Sequence, residues 1–320
     1  MSSQMFSHTG PVVLGLDERP IEAQETAVRF AAMEANRRHA AIVLAHGCQP
    51  LTTATSLEPT DSAVDRERSG IELLAAGAKV LRHHLDRARP IEIRLGQGTG
   101  VDLLLELSAS AGLIVLQRRD IGTFKRWHTG STTSKVAAEA QCPVVIVRSD
   151  HDETLDRSGV VVGVDERGHA GLAVETAFAE ASLRQTSLVA THAWQMADLP
   201  LTYGYVPPDR EEIETLHQQA EVELAEALAG VGASYPDVAV RREVVLGAAQ
   251  VALDAASEKA ELLIIGRHGT GRMAGLALGS VARHAISSAP CPVMIVPPAS
   301  PGHARRPRWL ASEVPVSAGF

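Results

Sequence analysis

The stretch Val12–Arg19 (VVLGLDER) recurs as Val161–Arg167 (VVGVDER), a hydrophobic run that ends in Gly-x-Asp in both places. A second matching pair, Gln141–Val147 (QCPVVIV) and Pro290–Val296 (PCPVMIV), marks the far end of each copy. The aspartates of the first pair lie 148 residues apart and the cysteines of the second pair lie 149 apart. Two anchors with nearly the same offset indicate a tandem duplication of one module.

Each copy alternates short β-branched runs with longer stretches whose apolar residues recur at helical spacing. This alternation predicts an α/β fold, in which right-handed crossovers give a parallel five-stranded sheet with helices on both faces. The predicted strands lie near 11–16, 41–46, 91–95, 112–117 and 143–147 in the first copy, and near 159–164, 187–192, 238–246, 261–266 and 292–296 in the second.

The repeat also sets the expected domain organisation. We predict an N-terminal extension over residues 1–10, domains over 11–148 and 159–297, a polar linker over 149–158 and a flexible tail over 298–320.

Composition limits the function classes. The 320 residues are 45% hydrophobic, 21% charged and only 3% aromatic, which is typical of a globular protein with an aliphatic core. The net charge of −8 argues against a nucleic-acid partner. No apolar run approaches the length of a membrane span, no signal peptide is recognisable, and the three cysteines suit a reducing compartment. We therefore expect a cytoplasmic protein without a membrane partner.

Two loops of the second copy carry the candidate chemistry. In an open α/β sheet, ligands bind beyond the carboxyl ends of the strands, where the strand order reverses. For the order 3-2-1-4-5, Asp165 after strand 1 and the loop Gly266–Ser280 after strand 4 meet at this point. Four of the first ten loop residues are glycine, which allows close backbone approach to a ligand. The next helix begins at Gly279-Ser280 and offers free N–H groups to a phosphate.

Other interpretations of these loops remain open. A long flexible connection without a ligand is the structural alternative. The stretch Gly269–Ala274 matches the pattern of a dinucleotide-binding fingerprint, but it follows strand 4 rather than strand 1. No Gly-Lys-Ser/Thr phosphate loop occurs in the chain. The glycine cluster Gly96–Gly100 follows strand 3, away from the reversal point, and is interpreted as a strand-to-helix turn.

The spacing Gly266-x2-Gly269-x9-Gly279-Ser280, with Asp165 after strand 1 and His192 ending strand 2, resembles the universal stress protein family, specifically the tandem-domain members of actinobacteria. The resemblance covers about residues 11–297. It implies two flavodoxin-like (Rossmann-like) domains with the sheet order 3-2-1-4-5. It further implies ATP binding without strong catalysis and a role in stress or dormancy.

Carried over position by position, the resemblance implies an ATP site in the second domain. The aspartate contacts the base and ribose side, Ala193 lies against the adenine, and the glycine loop and following helix start hold the ribose and phosphates. The implied residues are Gly163, Val164, Asp165, Ala193, Ile265, Gly266, Arg267, His268, Gly269, Thr270, Gly271, Arg272, Gly279, Ser280 and Val281. The corresponding residues of the first domain are Gly15, Asp17, Gly130, Ser131 and Thr132.

The first copy departs from this pattern. Gln117 stands where the second copy has Gly266, and Asp120 stands where it has Gly269. A carboxylate at the phosphate position repels the ligand, although Lys125 and Arg126 could compensate. We expect the first site to be empty or weak in nucleotide.

The predicted function is a non-enzymatic ATP-binding stress protein in which the nucleotide is a regulatory or structural ligand. No metal-ligand spacing or activated nucleophile accompanies the loop, so neither a catalytic residue nor a protein-bound metal is predicted, while Mg²⁺ could accompany ATP. The alternatives are a slow ATPase or ATP-using enzyme, and a nucleotide-free interaction scaffold. Each copy ends in a Val/Ile edge strand, and since exposed edges favour pairing we expect these two strands to pair with each other and join the modules through a pseudo-two-fold axis. We further expect a homodimer.

Overall fold

The structure is a computed structural model that describes residues 10–48, 61–86, 89–119, 131–151, 157–165, 171–195, 209–268 and 278–298. The chain divides into two compact units, one within the residues up to Asp152 and the other from Glu153 to Pro298.

The first unit is a parallel five-stranded sheet in the order β3-β2-β1-β4-β5. A 3-10 turn at Ile21–Gln24 precedes α1, and the helices pack in two pairs, α1 with α2 and α3 with α4. Its strands are β1 (Val12–Leu16), β2 (Ile42–Cys48), β3 (Ile91–Gln97), β4 (Leu113–Gln117) and β5 (Val144–Val147), and its helices are α1 (Glu25–Arg37), α2 (Asp61–His84), α3 (Gly100–Ser108) and α4 (Ser131–Glu139).

The second unit repeats this arrangement in the order β8-β7-β6-β9-β10. Its helices also pair, α5 with α6 and α7 with α8. Its strands are β6 (Val160–Val164), β7 (Leu188–Trp194), β8 (Val240–Leu246), β9 (Leu262–Gly266) and β10 (Val293–Val296), and its helices are α5 (Gly171–Arg184), α6 (Arg210–Gly232), α7 (Ala249–Ser257) and α8 (Ser280–Ser288).

The central strands form the core of each unit. Consecutive residues of β1, β4, β6 and β9 are buried, which means that helices cover both faces of the sheet. The predicted α/β class and the two tandem domains are confirmed.

Cys142 and Cys291 are buried in matching places, as expected for small core residues, and burial raises the pKa of the Cys291 thiol to about 12.

The glycine cluster after β3 forms a strand-to-helix turn. Gly98 has a φ of +144°, which favours glycine, and the Thr99 hydroxyl caps α3 by accepting a hydrogen bond from the Asp102 N–H at 3.1 Å. The interpretation of this cluster as a turn is therefore confirmed.

A buried ion pair recurs in the first helix of each unit. Glu34 on α1 pairs with Arg38, which directly follows that helix. Glu180 pairs with Arg184, and both lie on α5. All four side chains are at most 3% exposed, and Arg184 also contacts Glu261 at 3.2 Å. Such pairs stabilise a fold only while both partners are present.

Within the described ranges, no helix has the length and apolar character that crossing a bilayer requires.

Candidate ligand site at the strand-order reversal

The strand order of the second unit reverses between β6 and β9. These two strands are neighbours, with Val162 level with Ile264, so their carboxyl ends lie at one edge of the sheet. Asp165 directly follows β6, and Gly266 is the last residue of β9. The structure thus brings together the two segments that the sequence singled out.

A buried histidine holds the end of β6. The His192 ring Nδ1 lies 2.9 Å from the backbone carbonyl oxygen of Val164, the residue before Asp165. His46 makes the equivalent contact with the carbonyl oxygen of Leu16 at 3.0 Å in the first unit. Because a carbonyl oxygen can only accept, Nδ1 carries the proton in both rings. This contact fixes the strand end from which the aspartate projects.

Asp165 has no donor for its carboxylate among the residues that the structure describes. Both of its carboxylate oxygens are buried and accept no hydrogen bond from any described part of the chain. A buried carboxylate without donors is costly, and a ligand with hydroxyl or amino groups would satisfy it.

The loop after β9 returns to the sheet edge at the start of α8. The Gly279 N–H donates to the Arg267 carbonyl oxygen at 3.0 Å, which holds the two ends of the loop together. Gly279 caps α8 without a side-chain hydrogen bond, and Ser280 is exposed. The first N–H groups of α8 therefore have no side-chain cap and can bind an anion.

The described residues do not require glycine at position 266. Of these residues, a methyl group there would meet only the His268 carbonyl oxygen, at an ordinary contact distance of 3.5 Å. At Gly163, in contrast, a methyl group would lie 3.2 Å from Leu253 Cδ1, so that glycine also serves packing. The absence of a side chain at 266 leaves room beside the β9 end.

The remaining predicted residues are placed as follows. Ala193 is a half-buried residue near the end of β7, Ile265 is buried in β9, and Val281 is half-buried in the first turn of α8. Gly269, Thr270, Gly271 and Arg272 lie outside the described residues, as do Gly130, Asp120, Lys125 and Arg126.

The first unit has a pocket at the equivalent place, with a volume of about 120 Å³. Sites for small molecules usually measure roughly 300–1,000 Å³. The polar residues around this pocket include Asp17, Gln24, His46, Gln117, Arg119 and Thr132, with Gly15 at its base.

Two arginines donate hydrogen bonds to the Asp17 carboxylate. Arg19 Nε lies 3.0 Å from the Asp17 carboxylate, Arg119 Nε lies 2.8 Å from it, and the Arg19 backbone N–H donates to it at 2.9 Å. Burial alone would raise the pKa of Asp17, but the hydrogen bonds from Arg19 and Arg119 outweigh it and hold the pKa below its usual value. The carboxylate therefore stays charged and paired.

Gln117 fills the position of the second unit's Gly266. Its side-chain amide donates to the Ala23 carbonyl oxygen at 2.6 Å and accepts from the Ala27 N–H at 3.3 Å. The side chain is buried between β4 and the start of α1, and both of its polar atoms are used.

Sequence reasoning missed Arg19 and Arg119 as partners of Asp17. Arg119 corresponds to His268 in the second copy, so the difference is visible in the aligned repeat, but its pairing over 102 residues is not. Among the described residues, no cluster of three or more His, Cys, Asp or Glu side chains could hold a metal ion.

The fold defines a tandem α/β protein in which an aspartate lies beside the strand-order reversal of each unit. The profile of the universal stress protein family matches residues 9–148 and 158–297, and the chain belongs to this family. It is 34% identical over 292 residues to a universal stress protein of Mycobacterium tuberculosis, covering 89% of this chain and 95% of that protein. It is 31% identical over 292 residues to one of Mycolicibacterium smegmatis, covering 90% and 97%.

A solved structure shares the fold. The crystal structure of a universal stress protein from Archaeoglobus fulgidus matches 92% of this chain and 98% of its own, with a TM-score of 0.64 and 17% identity.

Proposed function

We propose that the second domain binds ATP and that the first domain does not, so that one nucleotide per chain acts as a regulatory ligand in a stress or dormancy response. The observation that carries this proposal is the contrast between two equivalent aspartates. The buried carboxylate oxygens of Asp165 accept no hydrogen bond from the described residues, which do not include Arg167, the counterpart of Arg19, whereas Asp17 is held by two arginines.

The chemistry of the second crevice suits an adenine nucleotide. A carboxylate without protein donors accepts hydrogen bonds from ribose hydroxyls or an exocyclic amino group. The start of α8 offers backbone N–H groups and the positive end of the helix dipole to phosphate oxygens. The loop spacing resembles that of the family's ATP-binding branch, which favours ATP over other anionic ligands.

Binding rather than turnover is the proposed role. Backbone donors and a helix start stabilise bound phosphate in the ground state and the transition state alike, which gives affinity without rate acceleration. A cytoplasmic location, a homodimer and an accompanying Mg²⁺ stay predictions from the sequence.

The equivalent aspartates Asp17 and Asp165 provide a matched pair of variants for testing this proposal. Calorimetric titration of the full chain with ATP should give one site in the wild type. Asp165→Asn should weaken binding by roughly 10- to 100-fold, because the loss of a charged acceptor costs about 1.5–3 kcal/mol. Asp17→Asn should leave the affinity unchanged.

Three results would contradict the proposal. A wild-type chain that binds no ATP would indicate a nucleotide-free scaffold. Two equal sites per chain would show that the first domain also binds. Equal losses in both folded variants would mean that the aspartates act on stability and not on the ligand.

A further inference from the structure

We infer that Arg119 is an internal ligand that keeps the first domain's crevice closed, a contact that inhibits nucleotide binding from within the chain. The inference rests on the proposed function, since it takes Asp17 and Asp165 as equivalent ligand-binding positions.

Arg119 spans the strand-order reversal of the first unit. It lies two residues beyond the end of β4, yet its Nε donates to Asp17 Oδ2 at 2.8 Å beyond the end of β1. Its Nη2 also lies 4.0 Å from Glu18 Oε2. The guanidinium therefore crosses the crevice between the two strands, where a ligand of Asp17 would have to enter.

The guanidinium also replaces what a ligand would supply. Ligand hydroxyl or amino groups would donate hydrogen bonds to the aspartate, and Arg119 donates one already. With Arg19 on the same carboxylate, one negative charge faces two positive charges. The Asp17 carboxylate thus already accepts hydrogen bonds from two arginines, whereas the carboxylate oxygens of Asp165 accept none from the described residues.

The size of the crevice agrees with closure. The pocket of about 120 Å³ has Arg119 in its wall and is smaller than usual small-molecule sites. The second copy has His268 at the position of Arg119, which is a shorter side chain with a ring in place of the guanidinium. Arg119 is thus the residue by which the two copies differ at this contact.

The ion pair can be removed without loss of the fold. The Arg119 side chain is 44% exposed, and partly exposed pairs contribute little to stability. Gln117 is different, because it is buried and bonded to the backbone near α1. The two variants that test Arg119 must therefore carry the same substitution at Gln117.

Two variants of the full chain isolate the effect of Arg119, both built on Asp165→Asn so that the second site is weakened equally in each. The first carries Gln117→Gly and Asp120→Gly and keeps Arg119. The second adds Arg119→His, which restores the second copy's residues at all three positions. Circular dichroism confirms that each is folded, and calorimetry with ATP measures binding.

The first domain of the variant with Arg119→His should bind one ATP, and the first domain of the variant that keeps Arg119 should bind roughly ten-fold more weakly or not at all. Residual binding at the second site is the same in both variants and cancels in the comparison. Equal binding by the two variants, or no binding by either, would overturn the inference. The wild-type titration decides the proposed function separately, because the comparison between the two variants depends only on the first domain.

Discussion

At the scale of single residues, the two copies use one aspartate in opposite ways. Asp17 receives hydrogen bonds from two arginines, while the carboxylate oxygens of Asp165 are buried without a described donor. The aspartates themselves were predictable, because each follows a Gly-containing hydrophobic run. The pairing of Asp17 with Arg119, which lies two residues beyond the end of β4, was not predictable, because a contact across 102 residues depends on side-chain direction, which repeat alignment does not contain.

The pairing of Asp17 makes the first unit sensitive to acid. Its pKa lies below the ordinary value of 3.8 in the folded chain, so the unfolded state binds the proton first as the pH falls. The pair's contribution to stability is fully present above pH 3.8 and is lost as the pH falls through the folded-state pKa. In Asp17→Asn the free energy of unfolding should therefore depend less steeply on pH below pH 4.

Urea unfolding of the wild type and Asp17→Asn between pH 3 and pH 6 measures this difference. The two stabilities should converge toward the acid end of the range. A constant gap between them over the whole range would show that the charge of Asp17 contributes nothing.

At the scale of helices and strands, hydrophobic periodicity predicted the elements well. The predicted strand near 261–266 is β9 (Leu262–Gly266), and the predicted strand near 187–192 is β7, which continues to Trp194. Core strands are clear in sequence because both faces are buried and the run is purely apolar. The ends shift by one or two residues because terminal hydrogen bonds depend on the neighbouring strand.

The buried pairs Glu34–Arg38 and Glu180–Arg184 were not predicted. A Glu-x-x-x-Arg spacing on a helix is common on exposed faces and gives no sign of burial. The Glu-x-x-x-Arg spacing recurs at the same place in both copies, and this recurrence is the sequence feature that could have indicated the buried pairs.

These pairs yield a prediction with a matched control on another helix. Glu180→Ala leaves Arg184 buried without its helix partner and should cost about 3–5 kcal/mol of stability. Glu214→Ala removes the same i,i+4 arrangement with Arg210, where the side chains are 62% and 93% exposed, and should cost less than about 0.5 kcal/mol. Chemical denaturation of both variants measures the two costs, and similar values would contradict the structural role of burial.

At the scale of the whole molecule, duplication followed by divergence accounts for two equivalent aspartates in different surroundings. The compact units have the same strand order and the same buried histidine contact. They differ in the residues at and just beyond the ends of β4 and β9, Gln117 and Arg119 against Gly266 and His268. A ligand that binds one unit only should therefore act on the stability of that unit.

Differential scanning calorimetry of the full chain tests this expectation. ATP at about 100 times its dissociation constant stabilises the folded state that binds it by about 2.7 kcal/mol. For a unit of this size, that should raise the unfolding temperature of the second domain by roughly 5–10 °C. The transition of the first domain should not move, and in Asp165→Asn the shift of the second domain should fall to about half or less, because its dissociation constant is roughly 10- to 100-fold higher. Equal shifts of both transitions in the wild type would contradict a single nucleotide site, because mass action stabilises only the unit that holds the ligand.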